Sequence, residues 1–135
     1  MTIFKDRRGT AAIEFAIAMV PVVILLSGGI TYAGVFSMRI ALQNAANEGA
    51  RAGIAGATLC EREALATAAA RAALTLGHTV EAQVSASATK ERLTVTIRYP
   101  YGQGSLTPVM MPVPDMLQAT AVTLTDEPVL PASAC

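Results

Sequence analysis

Residues 5–39 read KDRRGTAAIEFAIAMVPVVILLSGGITYAGVFSMR, and this stretch decides how the chain is built. Lys5, Asp6, Arg7 and Arg8 form a short polar head with a net basic charge. From Gly9 to Met38 one ionisable side chain appears, Glu14, before Arg39 closes the run. Phe15 to Met38 is 24 consecutive residues without a charge. As a helix that stretch spans roughly 36 Å, enough to cross a ~30 Å hydrocarbon core with some tilt. The basic head in front of it argues for a cytoplasmic N-terminus and an exported remainder.

The rest of the composition agrees with one anchor and one small domain. The chain has 135 residues, ten basic against ten acidic, 53% apolar, 15% charged and 4% aromatic, with no Trp. Ordinary soluble domains carry about 25% charged residues, so this chain is poor in charge. The zero net charge gives no basic excess to hold nucleic acid. The length excludes a large multidomain enzyme.

Glu14 needs a reason, because a carboxylate one turn inside a membrane helix costs a few kcal/mol. One reading lets it snorkel toward headgroups beside Arg7 and Arg8. The other uses its position five residues after Gly9. If the chain is cut after Gly9, Thr10 carries a new amine, and that amine and the helix dipole both favour a carboxylate nearby. In an assembly, Glu14 of one subunit could meet the Thr10 amine of a neighbour.

The run Arg7-Arg8-Gly9-Thr10-Ala11-Ala12-Ile13-Glu14-Phe15-Ala16, with Pro21 and a continuing apolar helix, resembles the leader of type IV pilin-like proteins. More narrowly, Glu14-Phe15-Ala16, Pro21, Gly28-Gly29, Leu42 to Ala46 and Gly49 to Ala52 resemble the TadE-like family. The stretch Gly29 to Gly34 has no acid where the family usually carries one. The resemblance covers about Arg7 to Gly53. It implies a minor pilin or pseudopilin of the tight adherence (Flp pilus) machinery, and a prepilin peptidase that cuts between Gly9 and Thr10. It also implies Glu14, Phe15 and Pro21 as assembly and register residues, an inner-membrane location, and other pilins as partners in a hetero-oligomer. A conventional signal peptide competes, with its core at Thr10 to Leu26 and cleavage near Ser27-Gly28-Gly29. That reading would release a periplasmic binding or enzyme domain. A third is an uncleaved single-pass membrane protein.

Pro21 removes a hydrogen bond from the helix interior, which membrane helices tolerate when neighbours compensate. Ser27, Gly28, Gly29 and Gly34 form a small-residue zone that permits close helix approach. Beyond Arg39 the helix continues amphipathically through Ile40, Leu42, Ala45, Ala46, Ala50 and Ile54. Gly49 and Gly53, four apart, allow a second close contact. Thr58-Leu59-Cys60-Glu61 reads as a capping box that opens a second helix, Leu59 to Leu76, stopped by Gly77. Its expected buried stripe is Leu65, Ala69, Ala72 and Leu76, and the two helices are expected as a hairpin.

Past His78 the period becomes two. Val80 to Ala86 and Leu93 to Tyr99 alternate around a turn at Thr89-Lys90-Glu91, so they read as a β-hairpin. Tyr99 to Asp115 is a Pro-rich loop, and Leu117 to Thr125 reads as a third strand. The expected fold is α+β: a long transmembrane helix running into a helical hairpin, packed on a small antiparallel sheet of three strands. The expected divisions are a leader at 1–9, a helix with its periplasmic extension at 10–56, and a small domain at 57–135.

Chemistry-bearing constellations are sparse. His78 has no companion ligands, and Glu61 and Glu63 point to different helix faces. Met110, Met111 and Met116 read as apolar anchors rather than a soft-metal site. No cofactor, metal or enzymatic activity is expected. Cys60 and Cys135 both follow the membrane helix; an intramolecular bridge and free or intermolecular thiols are both open.

Overall fold

The computed structural model describes residues 7–74, 82–101 and 114–125. The chain divides into two compact units, Met1–Val35 and Phe36–Cys135. Five elements follow one another: α1 (Arg7–Gly53), α2 (Leu59–Leu74), β1 (Gln83–Ala88), β2 (Arg92–Pro100) and β3 (Met116–Leu124). This is the expected α+β order. Leu76, Gly77, His78, Val80, Met110 and Met111, for which the sequence carries expectations, lie outside the described residues.

In the first unit, α1 is helical through Pro21 and through Ser27-Gly28-Gly29. Thr31 Oγ1 donates to Ser27 O at 2.9 Å, a back-bond that lets a polar side chain sit on an apolar helix. Ile13, Phe15, Ile17, Val20, Leu25 and Leu26 are all more than half exposed.

The second unit is a two-layer fold. Its sheet has the order β1-β2-β3, antiparallel throughout, with Val95 opposite both Ala86 and Ala121. One face carries Leu93, Val95 and Ile97 of the central strand and Leu117, Ala119 and Ala121 of β3, all buried. The other face is largely exposed, with Gln83, Ser85 and Ser87 on β1 and Gln118, Thr120 and Val122 on β3. That alternation is what a sheet covered on one side requires. The β1–β2 turn is tied by Thr89, whose N–H donates to Arg92 O at 2.7 Å and whose Oγ1 accepts from Arg92 N.

The inner face is covered by helix. Leu42, Ala45, Ala46 and Ala50 of α1 are buried, as are Ala66 and Ala70 of α2. Gly49 lies against Ala66 and Ala70, and Gly53 against Arg62 and Ala66. As α1 advances, its contacts retreat along α2, so the pair is the expected antiparallel hairpin. A Cβ at Gly49 would sit 2.7 Å from Ala66 O and 2.8 Å from Ala70 Cβ; at Gly53 it would sit 2.9 Å from Arg62 O. Only glycine allows the backbones this close.

The stripe expected on α2 is corrected. Arg62, Ala66 and Ala70 are buried, while Leu65 is 38% exposed and Ala72 is exposed. An Ala-rich helix has little to choose between its faces on hydrophobicity alone. The close approach at Gly49 and Gly53 sets Ala66 and Ala70, whose side chains are short, against α1, which turns the larger Leu65 outward.

The expected capping box forms. Thr58 Oγ1 accepts from Glu61 N at 3.2 Å, and Glu61 Oε2 accepts from Ala57 N at 3.0 Å. The glutamate thus reaches one residue further back than the usual reciprocal pattern, still covering a free donor before the helix.

Candidate functional site

The sequence points to α1 as the functional element, and its geometry bears directly on that. Gly9 and Thr10 lie in the helix just after Arg7 and Arg8, and a Cβ at Gly9 would meet nothing within 4 Å. Glu14 and Phe15 follow one turn later, both exposed, and Pro21 stands in the helix interior, also exposed. The span from Gly9 to Gly53 is long and apolar enough to cross a membrane, with a mean hydropathy of 2.2 over its most apolar window. Only 6% of that window is buried. The core helix of a soluble domain would be mostly covered, so this surface calls for lipid or for other helices.

Residues 9–51 match the family model described as TadE-like protein. The chain is TadE-like over that segment. No curated protein and no solved structure matches the chain. The TadE-like match implies a role in the tight adherence pilus machinery, and the single N-terminal apolar helix fits a single-pass membrane protein of such a system. The matched stretch takes in the apolar run and Gly49, and leaves Gly53, α2 and the sheet outside.

In the second unit, two side chains from the helices reach the edges of the sheet. Glu63 Oε1 accepts from Ala88 N at the end of β1, at 2.8 Å, and Gln43 Nε2 donates to Thr120 O on β3, at 3.3 Å. Both edge strands thereby pair one free backbone group with a helix side chain, which blunts uncontrolled strand pairing. Sequence reading missed both, because neither residue stands in a local pattern. Cys60 is half-buried and disulfide-bonded. Cys135 lies outside the described residues. A shallow groove beside Cys60 is lined by Glu63, Ala64, Thr67 and Ala68 of α2 and by Ala86 of β1. Among the described residues, no group of three His, Cys, Asp or Glu could hold a metal ion.

Arg62 is the residue sequence reading missed most completely. It is 3% exposed in the core of the second unit. Its Nε donates to Gly56 O at 2.8 Å, while Nη1 is buried without a hydrogen-bond partner.

Proposed function

We propose that this chain is a minor pilin or pseudopilin that takes part in assembling a tight adherence pilus or its secretion apparatus. Its N-terminus lies in the cytoplasm, α1 crosses the bacterial inner membrane, and the second unit is periplasmic. A prepilin peptidase cuts between Gly9 and Thr10 and leaves the helix attached. Glu14 then lies five residues from Gly9, where the Thr10 amine of its own or a neighbouring subunit neutralises it. Phe15 and Pro21 set the packing of α1 against the helices of other pilins, and the assembly is hetero-oligomeric. Cys60 pairs with Cys135 and ties the C-terminal segment to the start of α2.

The observation that carries this reading is the exposed, unbroken apolar helix beginning beside Gly9. A helix that ends in a cationic amine and holds a carboxylate one turn in is suited to lateral packing, since the two charges balance across subunits. Continuity of α1 through Ser27-Gly28-Gly29 supports retention of the whole helix over cleavage near Ile30. Intact mass and N-terminal sequencing of the chain from native membranes test the proposal. A start at Thr10 is expected; a soluble product starting near Ile30 would overturn it.

A further inference from the structure

The groove between α2 and β1 encloses about 450 Å³, with Ala64, Thr67 and Ala68 of α2 on one side and Ala86 of β1 on the other. Along α2 its lining runs from Cys60 to Arg71, roughly 16 Å at the helical rise. Ala64 and Ala68 are exposed. Among the described strands, β1 pairs with β2 alone, so its other edge is an outer edge. Thr89 N donates to Arg92 O, and by alternation Ser87 and Ser85 also turn their backbone groups toward β2. Ala88 and Ala86 turn theirs outward, and Ala88 N accordingly donates to Glu63 Oε1 at 2.8 Å. Ala86 thus brings a backbone donor and acceptor to a groove walled by small side chains. That combination suits an extended peptide, which supplies matching backbone groups and needs little width.

The chain carries a peptide that can reach this place. Cys60 lines the groove and is disulfide-bonded, and the one other cysteine in the sequence is Cys135. The segment leading to Cys135 starts from a fixed point. Thr125 N donates to Glu91 O at 2.9 Å and Thr125 Oγ1 to Lys90 O at 3.3 Å, at the turn that follows β1. Ala88, just before that turn, is held by Glu63, which stands one helical turn from Cys60. The ten residues from Asp126 to Cys135 span up to about 33 Å when extended, enough to reach into the groove before closing on Cys60. After Asp126 and Glu127 they carry no charge, and Pro128 and Pro131 favour an extended backbone. Ala132, Ser133 and Ala134 are as small as the side chains that wall the groove.

Resting on the Cys60–Cys135 pairing proposed above, we propose that residues 128–134 seat in the α2–β1 groove as a strap and cover the outer edge of β1. A bridge sets the two Cα atoms about 6 Å apart, and each preceding residue lies at most about 3.8 Å further along, so Ala134 and Ser133 stand beside the groove. A segment tethered this closely has an effective concentration on the order of millimolar, which a free peptide does not match. The strap closes after export, once both thiols meet an oxidising compartment. There the two thiols pass two electrons and two protons to a disulfide donor, which is reduced to a dithiol as the Cys60–Cys135 bond forms. Closure removes an open strand edge that would otherwise pair with other chains.

The test uses the full chain in detergent, with its disulfide mapped and the segment probed by proteinase K and mass spectrometry. Wild type should be cut between Pro128 and Ala134 at least about tenfold more slowly than Cys60→Ser, because cleavage follows the population of the unseated segment. Ala68→Trp fills the groove from an exposed position and leaves both cysteines in place. Its segment should be cut at close to the Cys60→Ser rate while the bridge stays intact, which separates seating from tethering. Leu65→Trp, on α2 but outside the lining of the groove, should match wild type. Equal rates in wild type and Cys60→Ser, with the bridge mapped, would overturn the proposal and leave the pairing standing. An Ala68→Trp rate equal to wild type would overturn it as well. Recovery of two free thiols from wild type would instead sink the pairing itself, and the strap with it.

Discussion

Replacing Gly49 with alanine puts the helix–helix contact to a quantitative test. In an exposed helix the change would stabilise by about 1 kcal/mol, because glycine is the poorer helix former. Here the new methyl would stand 2.7 Å from Ala66 O, 2.8 Å from Ala70 Cβ and 3.4 Å from Val95 Cγ1. The first of these is backbone of α2, and the second is a side chain with no rotamer to move into, so α2 itself must shift. Overpacking of this kind costs about 1–3 kcal/mol, and two contacts below 3.0 Å place it at the upper end. The net expectation is a loss of about 2 kcal/mol, or roughly 10 °C in the midpoint of a unit this size. The assay is thermal unfolding of the full chain in detergent, read by limited proteolysis of the second unit. Gly29→Ala is the control, since a Cβ there meets nothing within 4 Å, and its midpoint should stay at or above wild type. A midpoint for Gly49→Ala at or above wild type would refute the close-approach argument.

Other outcomes follow from the same geometry. Glu14→Ala should leave membrane insertion unchanged and reduce fibre number in electron micrographs; normal fibres would remove Glu14 from assembly. Thr58→Ala should lower the unfolding free energy by about 1 kcal/mol through loss of the cap, measured by urea titration in detergent. Cys60→Ser should destabilise by on the order of 4 kcal/mol if Cys60 closes a long loop with Cys135. Non-reducing peptide mapping of the wild type should recover that linked pair, and recovery of two free thiols would count against it.

The expected architecture was readable because its signals are local and strong. A charge-free run from Phe15 to Met38 leaves few choices of structure, and Thr58 with Glu61 marks a helix start through bonds to nearby backbone. The period of two in Leu93, Val95 and Ile97 likewise reports a covered sheet face within one strand. Strand ends moved by a residue or a few, because pairing rather than side-chain pattern sets where a ladder stops. The face of α2 was misread, because alanine supplies almost no contrast between one side of a helix and another.

By itself, then, the sequence determined the apolar span, the order of helices and strands, the cap on α2 and the TadE-like character of its first third. Tertiary structure alone decided which side of α2 is buried, that Glu63 and Gln43 reach backbone groups on the outer strands, and that Arg62 lies in the core with an unmet donor. The physical reason is range. Hydropathy, capping and strand period act between residues a few positions apart. The depth of a side chain and the partner of a donor depend on groups brought together from 25 or 77 positions away.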